Sequence, residues 1–439
     1  MKKMALAFVL ASIFLVSSLA GCSSTSGGGG GTTGALDLAP AEYKGQVVHW
    51  TWFSDILEEW IAEFNKTYPN IDMKVVVYSY QDYHDKLRTS LAGGGGAPDL
   101  IELEDNQMTW IKKTGQLEDL GSAPYNADTS LFFKSSVDMF RDDEGVLVGL
   151  PEAVAPAGIF YNRKVIRECF GFDDPDQVKA LIGSGEKSYD KFIDAMKTVV
   201  EVSGGRYKGV ARLGDILGMI HSQKGNKFFD GNKVIYEDTH YDDFQMLQKI
   251  CELDLTAKMS GAEDDNSFTQ SIQNETIAFY PGANWYIGYV IPSDEANAGK
   301  WGFIPSPGPG WDRGSQATAI YKGSKVKDLA YQWIKWYIMT EEGAITQYKS
   351  GSITPGLISA YSRPELMEDL EPTTNQKLAA IYLEISNTVQ LASFLQENQA
   401  IFDVVGPVMN SMEQGALNGD EAIKKVVDEA LKRLTGYTR

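Results

Sequence analysis

The chain has 439 residues, 43% apolar and 23% charged, and its 59 acidic against 40 basic side chains leave a net charge of −19. That balance argues against a nucleic-acid partner, since binding the phosphate backbone needs a basic face, and three cysteines are too few for a disulfide framework. Stability must come from buried apolar surface, and a chain this long carries more than one core serves, so two domains are expected.

Lys2 and Lys3 precede an apolar run over residues 4–16 and the small-residue stretch Ser17-Ser18-Leu19-Ala20-Gly21-Cys22. A basic start, a short apolar segment and a small-residue cleavage site predict a secretory signal over residues 1–21, too short for a spanning helix. Leu19-Ala20-Gly21-Cys22 resembles the bacterial lipobox, which implies a diacylglyceryl group on the Cys22 thiol. Four hydroxyl residues and the glycines at 27–31 follow, a composition with no apolar surface to bury, so residues 22–42 read as a flexible tether. The mature protein is expected outside the cytoplasm, held to the outer face of the cell membrane by lipid only. Cys169 and Cys251 remain, and their spacing leaves open whether they pair.

Residues 47–52 then predict a buried strand, and Ile56, Trp60, Ile61 and Phe64 recur at helical spacing. A strand over 73–78, a helix over 80–91 stopped by Gly93 to Gly96, and a strand over 100–103 give a β-α-β-α-β run. Such a run predicts a parallel sheet covered by helices, with ligands beyond the carboxyl ends of its strands. The alternation continues with a strand over 158–161, helices over 189–202 and 241–253, a strand over 277–280 and a helix over 327–339. Ala422, Val426, Ala430 and Leu434 lie four apart on a final amphipathic helix over 420–434.

Several segments, in order, carry a family resemblance. Tyr83-His84-Asp85-Lys86-Leu87, the glycine run and Ala97-Pro98-Asp99-Leu100 resemble the helix, glycine break and Pro-Asp strand of the extracellular solute-binding proteins of ATP-driven sugar importers, the family of maltodextrin-binding protein. Glu144-Gly145-Val146-Leu147-Val148-Gly149-Leu150-Pro151 and Phe160-Tyr161-Asn162-Arg163 are similar to its hairpin, Leu-Pro crossing and Tyr-Asn strand end. Ile277-Ala278-Phe279, Gly282, Trp285, the run from Phe303 to Pro309, and Ile353-Thr354-Pro355 complete the series over nearly all of the mature chain. The glycine break is longer than the family's usual one, and Glu104-Asp105-Asn106 stands where some relatives place an aromatic residue.

The resemblance implies an α/β, two-lobed, periplasmic-binding-protein-like (type II) fold, with a ligand cleft between lobes that closes by hinge bending. The expected lobes are residues 43–150 plus 282–320 and residues 151–281 plus 321–439, with crossings near 150–155, 279–282 and 319–324. It further implies a monomer without cofactor or catalysis, whose closed form delivers a carbohydrate, such as an oligosaccharide, to the membrane permease subunits of an ABC importer.

Sugar recognition needs flat aromatic faces for the C–H side of a ring and planar carboxylates or amides for adjacent hydroxyls. Both types fall at predicted strand ends. The candidate ligand contacts are Trp52 after the first strand, Glu104, Asp105 and Asn106 after the third, and Glu152 at a crossing. Asn284, Trp285 and Tyr286 follow a later strand, and Trp311 and Arg313 lie in a Gly/Pro-rich loop. Trp50 is expected in the core, as are Trp333, Trp336 and Tyr337, which repeat at i, i+3, i+4. His49, His84, His221 and His240 lack zinc spacing, and the acidic runs at 142–144 and 263–265 lack the pattern of a calcium loop. Gly29, Gly31 and Gly34 match a dinucleotide fingerprint only within the tether, and Ser184 to Lys187 spells SxxK without its companion motifs. Two alternatives stay open. One is a non-sugar solute: scarce basic contacts disfavour glycerol phosphate, while the acidic ones leave a polyamine open. The other is a secreted glycoside hydrolase with two carboxylates flanking the bond.

Overall fold

The computed structural model describes residues 36–439 apart from 53–56, 262–264, 293, 352, 369–372, 374, 391 and 393–394. The signal segment, Cys22 and the tether as far as residue 35 lie outside the described residues. The strands, in chain order, are β1 (Gly45–Thr51), β2 (Ile71–Val77), β3 (Leu100–Glu104), β4 (Leu150–Ala153), β5 (Pro156–Asn162), β6 (Phe229–Asp230), β7 (Lys233–Val234), β8 (Phe279–Ala283), β9 (Trp301–Ile304), β10 (Trp311–Asp312) and β11 (Gln316–Ile320).

The first sheet has the order β2-β1-β3-β11-β4. Its β1 pairs in parallel with β2 and β3, as the β-α-β-α-β run predicts, but β11 runs antiparallel to both β3 and β4. Alternation along β1 buries Val47, His49 and Thr51 on one face. Trp50 points the other way, half-buried and edge-on to Tyr78 at 5.2 Å. Helices Leu57–Thr67 and Lys327–Met339 cover one face, where Trp60, Phe64, Trp333, Trp336 and Tyr337 form an aromatic core, as their spacing predicts. Helix Tyr80–Ala92 covers the other through Tyr83, Leu87 and Leu91, packed on Ile101 and Leu103. Ser79 accepts the Asp82 amide at its start, and Gly93 and Gly94 end it.

The second sheet is antiparallel throughout, with β5 central and paired to β8, β9 and β10. Gly158 on β5 has no substitute, because a Cβ there would stand 2.4 Å from the Ile304 carbonyl oxygen. One core joins this sheet to helices Asp190–Val202, Leu213–Gln223, Tyr236–Glu252, Asn398–Glu413 and Gly419–Leu431, through residues such as Phe192, Ile216, Phe244, Val408 and Val426. A second gathers Phe160, Tyr280, Tyr286, Phe303 and Tyr382.

These pairings correct the expected partition of the chain. The segment 282–320 does not stay with the first sheet, because β9 and β10 hydrogen-bond to β5 and only β11 returns to β3 and β4. The chain therefore passes between sheets at 154–155 and 313–315, not at 279–282. Helices Lys327–Met339 and Glu341–Gly351 both pack with helix Leu57–Thr67 of the first sheet, although Ala344 and Tyr348 reach the second core. Ile353 lies against the first core while Leu357 lies in the second, so the last crossing lies near 354–356 and not at 319–324.

Candidate functional site

Three strand ends meet where the chain crosses between sheets. Strand β3 ends at Glu104, whose partner Gln316 begins β11, and this pairing brings Arg313, Gly314 and Ser315 beside Glu104 and Asp105. Strand β8 ends at Ala283, opposite Ala157, and Trp285 follows two residues later. The Asp105 backbone N–H donates to the Ser315 carbonyl at 3.0 Å, and its Oδ2 accepts the Gly314 N–H at 3.1 Å. From the other sheet, Trp285 Nε1 donates to the Arg313 carbonyl at 2.8 Å, and the Arg313 guanidinium stands 5.6 Å from the centre of the indole.

Gly314 separates these two sides. Its φ of +96° suits glycine, and a Cβ there would meet Trp285 Nε1 at 3.5 Å and Glu104 Oε1 at 3.8 Å, so Gly314 lies directly between the indole and the carboxylate. On the first-sheet side of Gly314 the Tyr80 hydroxyl donates to Glu104 Oε2, and the Asn106 amide donates to the Tyr80 oxygen at 3.3 Å. His84 Nε2 lies 3.7 Å from the same carboxylate. The Trp52 ring packs edge-on to Tyr80 at 5.6 Å and to Tyr83 at 4.8 Å. On the second-sheet side Tyr289, 71% exposed, stands edge-on to Trp285 at 5.8 Å.

Burial decides the electrostatics. It raises the Glu104 carboxyl, against the hydrogen bonds from Tyr80 and Asn106, which favour the ionised form. It drives Asp105 well above the usual carboxylate range, helped by the nearby charges of Asp312 and Glu104. Asp312 is raised by the same burial, although Ser315 and the Ala155 N–H donate to it at 2.8 and 3.0 Å. His84 is lowered to about 4, by burial first and by Arg88 next, so it is neutral at pH 7.

Of the candidate contacts, Trp52, Glu104, Asp105, Asn106, Trp285 and Arg313 are gathered here, linked through Tyr80 and Gly314. The other four are buried within the lobes or their crossings. Glu152 is 2% exposed inside the first sheet, where Thr318 of the neighbouring strand donates to its Oε2 and Glu102 is its charged neighbour. Asn284 is buried, its amide donating to the Val154 carbonyl at 3.3 Å and to the Thr354 hydroxyl, so it ties a crossing. Tyr286 is buried in near-parallel stacking on Phe160, with ring centres 5.8 Å apart, and backs the site from within the core, its hydroxyl accepting from Arg313 Nη1 at 3.3 Å. Trp311 is buried in β10 rather than lying in an open loop. Tyr80, His84, Gly314 and Tyr289 adjoin these candidate contacts and escaped the sequence reading; the available signal was Tyr80 itself, an aromatic off the Tyr83, Leu87, Leu91 stripe of its helix.

Cys169 and Cys251 are free thiols. Among the described residues no group of three or more His, Cys, Asp or Glu side chains is placed to hold a metal ion, and no helix is long and apolar enough to cross a membrane.

Comparison with known proteins gives a consistent result. The family described as bacterial extracellular solute-binding protein matches residues 50–344. The arabinooligosaccharide-binding protein of Bacillus subtilis (strain 168) is 27% identical over 383 residues, 84% of each chain. Among solved structures, an extracellular solute-binding protein of family 1 superposes with a TM-score of 0.78 at 16% identity, over 88% of this chain and 99% of that one. The sugar-binding protein MalE of Xanthomonas citri superposes with a TM-score of 0.70 at 20% identity, over 89% of this chain and 98% of that one. The fold is the two-lobed one of these proteins, each sheet with its helices forming one lobe.

Proposed function

The chain belongs to the bacterial extracellular solute-binding protein family, and from that premise we propose that it captures an oligosaccharide between its lobes and delivers it to the permease subunits of an ABC importer. An arabino-oligosaccharide is the first ligand to try, because the relative at 27% identity carries that name. The observation that carries the reading is the meeting at Gly314 of the Trp285 indole from one sheet's strand end and the Glu104 carboxylate from the other's. An apolar ring face beside a hydrogen-bonding carboxylate matches a sugar, whose C–H face and hydroxyl rim need these two surfaces together. A buried, raised carboxyl such as Asp105 suits neutral hydroxyls, to which it can both donate and accept, better than it suits a phosphate.

Family members are binding proteins that work outside the cytoplasm, and the present chain joins them there. Attachment through a lipid on Cys22, action as a monomer, and hinge closure at 154–155, 313–315 and 354–356 are part of the same proposal. Closure costs little where lobes are joined by short crossings, and the ligand's differential affinity for the closed form drives it. A thermal-shift screen against arabino-, malto- and galacto-oligosaccharides, with spermidine and glycerol phosphate alongside, tests the reading, because a ligand that binds only the folded state raises the midpoint. A shift with one sugar series supports it; a shift with spermidine alone refutes it.

A further inference from the structure

We infer that Tyr80 is a positioning residue for ligand specificity, its phenol holding one oxygen of Glu104 so that the other is turned towards Gly314 and the crossing segment between the lobes; this rests on the sugar-binding reading above. Tyr80 opens helix Tyr80–Ala92 and remains 41% exposed, while Tyr83 one turn on is fully buried. The ring is nevertheless fixed, edge-on to Trp52 at 5.6 Å and to His84 at 4.6 Å. Its hydroxyl is fixed as well, donating to Glu104 Oε2 and accepting from Asn106 Nδ2 at 3.3 Å.

The consequence falls on the other carboxylate oxygen. Glu104 Oε1 is the atom 3.8 Å from the position a Cβ on Gly314 would take, and Trp285 Nε1 is 3.5 Å from the same position. A carboxylate tethered at one oxygen offers the other in a defined direction, which is what discrimination between hydroxyl epimers requires. Without the phenol hydroxyl the carboxylate gains rotamer freedom that a ligand must then remove. The groups facing Glu104 are Tyr80 and His84 from the one helix and Asp105 and Asn106 from the following turn, with Asp312 behind Asp105. Because the Tyr80 hydrogen bond favours ionised Glu104, its loss leaves the carboxyl easier to protonate.

The test uses the full mature chain and arabinotriose as probe, titrated by calorimetry from pH 4 to pH 8. Tyr80→Phe keeps the ring contacts and removes only the hydroxyl. The expected result is about fivefold or more weaker binding at pH 7, with the loss of affinity on acidification beginning at higher pH than in wild type. Glu104→Gln should abolish that acidic loss, and adding Tyr80→Phe to Glu104→Gln should weaken binding no further, which separates Glu104 from His84 and Asp105. Unchanged affinity and an unchanged pH profile in Tyr80→Phe, or losses that add in the double variant, overturn the inference while leaving the sugar-binding reading intact. A wild type that binds neither arabinotriose nor any other neutral sugar overturns both.

Discussion

The indole N–H of Trp285 donates to the Arg313 carbonyl at 2.8 Å, and the guanidinium of the same residue stands 5.6 Å from the ring centre. The polar edge of the indole is therefore spent on the crossing segment and the guanidinium lies over the ring, so in the proposed stacking a sugar would meet the indole's remaining face. Truncation by Trp285→Ala removes the face and the tie together. Sugar binding should weaken by about 2 kcal/mol or more, while the folded state persists because the side chain is only half-buried. Calorimetric titration and urea unfolding separate the outcomes: a destabilised variant whose folded fraction binds sugar as tightly as wild type refutes the stacking role.

Glu152 leads to a different expectation. Burial first, and then the neighbouring charge of Glu102, push its carboxyl from 4.5 up to about 8. Between those values the folded chain holds a proton that the unfolded chain has released. The group's stabilising contribution is thus fully present below pH 4.5 and lost as pH rises through 8. Glu152→Gln imitates the neutral acid, and should raise unfolding free energy by roughly 2–4 kcal/mol at pH 9 and by little at pH 5. Sugar affinity should not change, since Glu152 faces the core of the first sheet.

The second lobe has the opposite pH sensitivity. His221 and His240 are buried, with ring centres 5.2 Å apart, and His240 stacks on Tyr236. Burial lowers both, His240 from 6.5 to about 3, so the unfolded chain takes up these protons first as pH falls. Their stabilising contribution is present above pH 6.5 and is lost towards pH 3. Between pH 7 and pH 4.5 the His240 share should be about 2–3 kcal/mol. Urea unfolding at the two pH values should show a smaller difference in His240→Phe than in wild type.

Membrane attachment is expected to depend on Cys22 alone, because the Gly/Ser tether has no membrane affinity of its own. Growth with a labelled fatty acid should mark the wild type and not Cys22→Ser, whose mature form should leave the membrane fraction. An unlabelled wild type contradicts lipidation.

Much of the fold could be read along the chain because its signals are local. The run from β1 to β3, the Trp333, Trp336 and Tyr337 face of helix Lys327–Met339, and the final helix all follow from apolar spacing and end signals. Glu104, Asp105 and Trp285 could be found because they directly follow strands. What escaped depends on pairing between distant segments. Glu152 follows a proline at a crossing and looks accessible until Thr318, from a strand over 160 residues away, is seen to hold it inside the sheet. Trp311 stands in a Gly/Pro-rich stretch, yet two residues of pairing to β5 bury it and carry 301–312 into the second lobe. Periodicity says nothing about such register, and Tyr80 joins the site for the same reason: its partner Glu104 is 24 residues away.

The most direct measurement of the central claim is calorimetric titration of the purified mature chain with an arabino-oligosaccharide length series, with reducing-sugar release followed in the same samples. The account predicts saturable one-to-one binding of at least one member, abolished or strongly weakened in Trp285→Ala, with no sugar released. Cleavage of the oligosaccharides, or no binding of any neutral sugar at millimolar concentration, would contradict it.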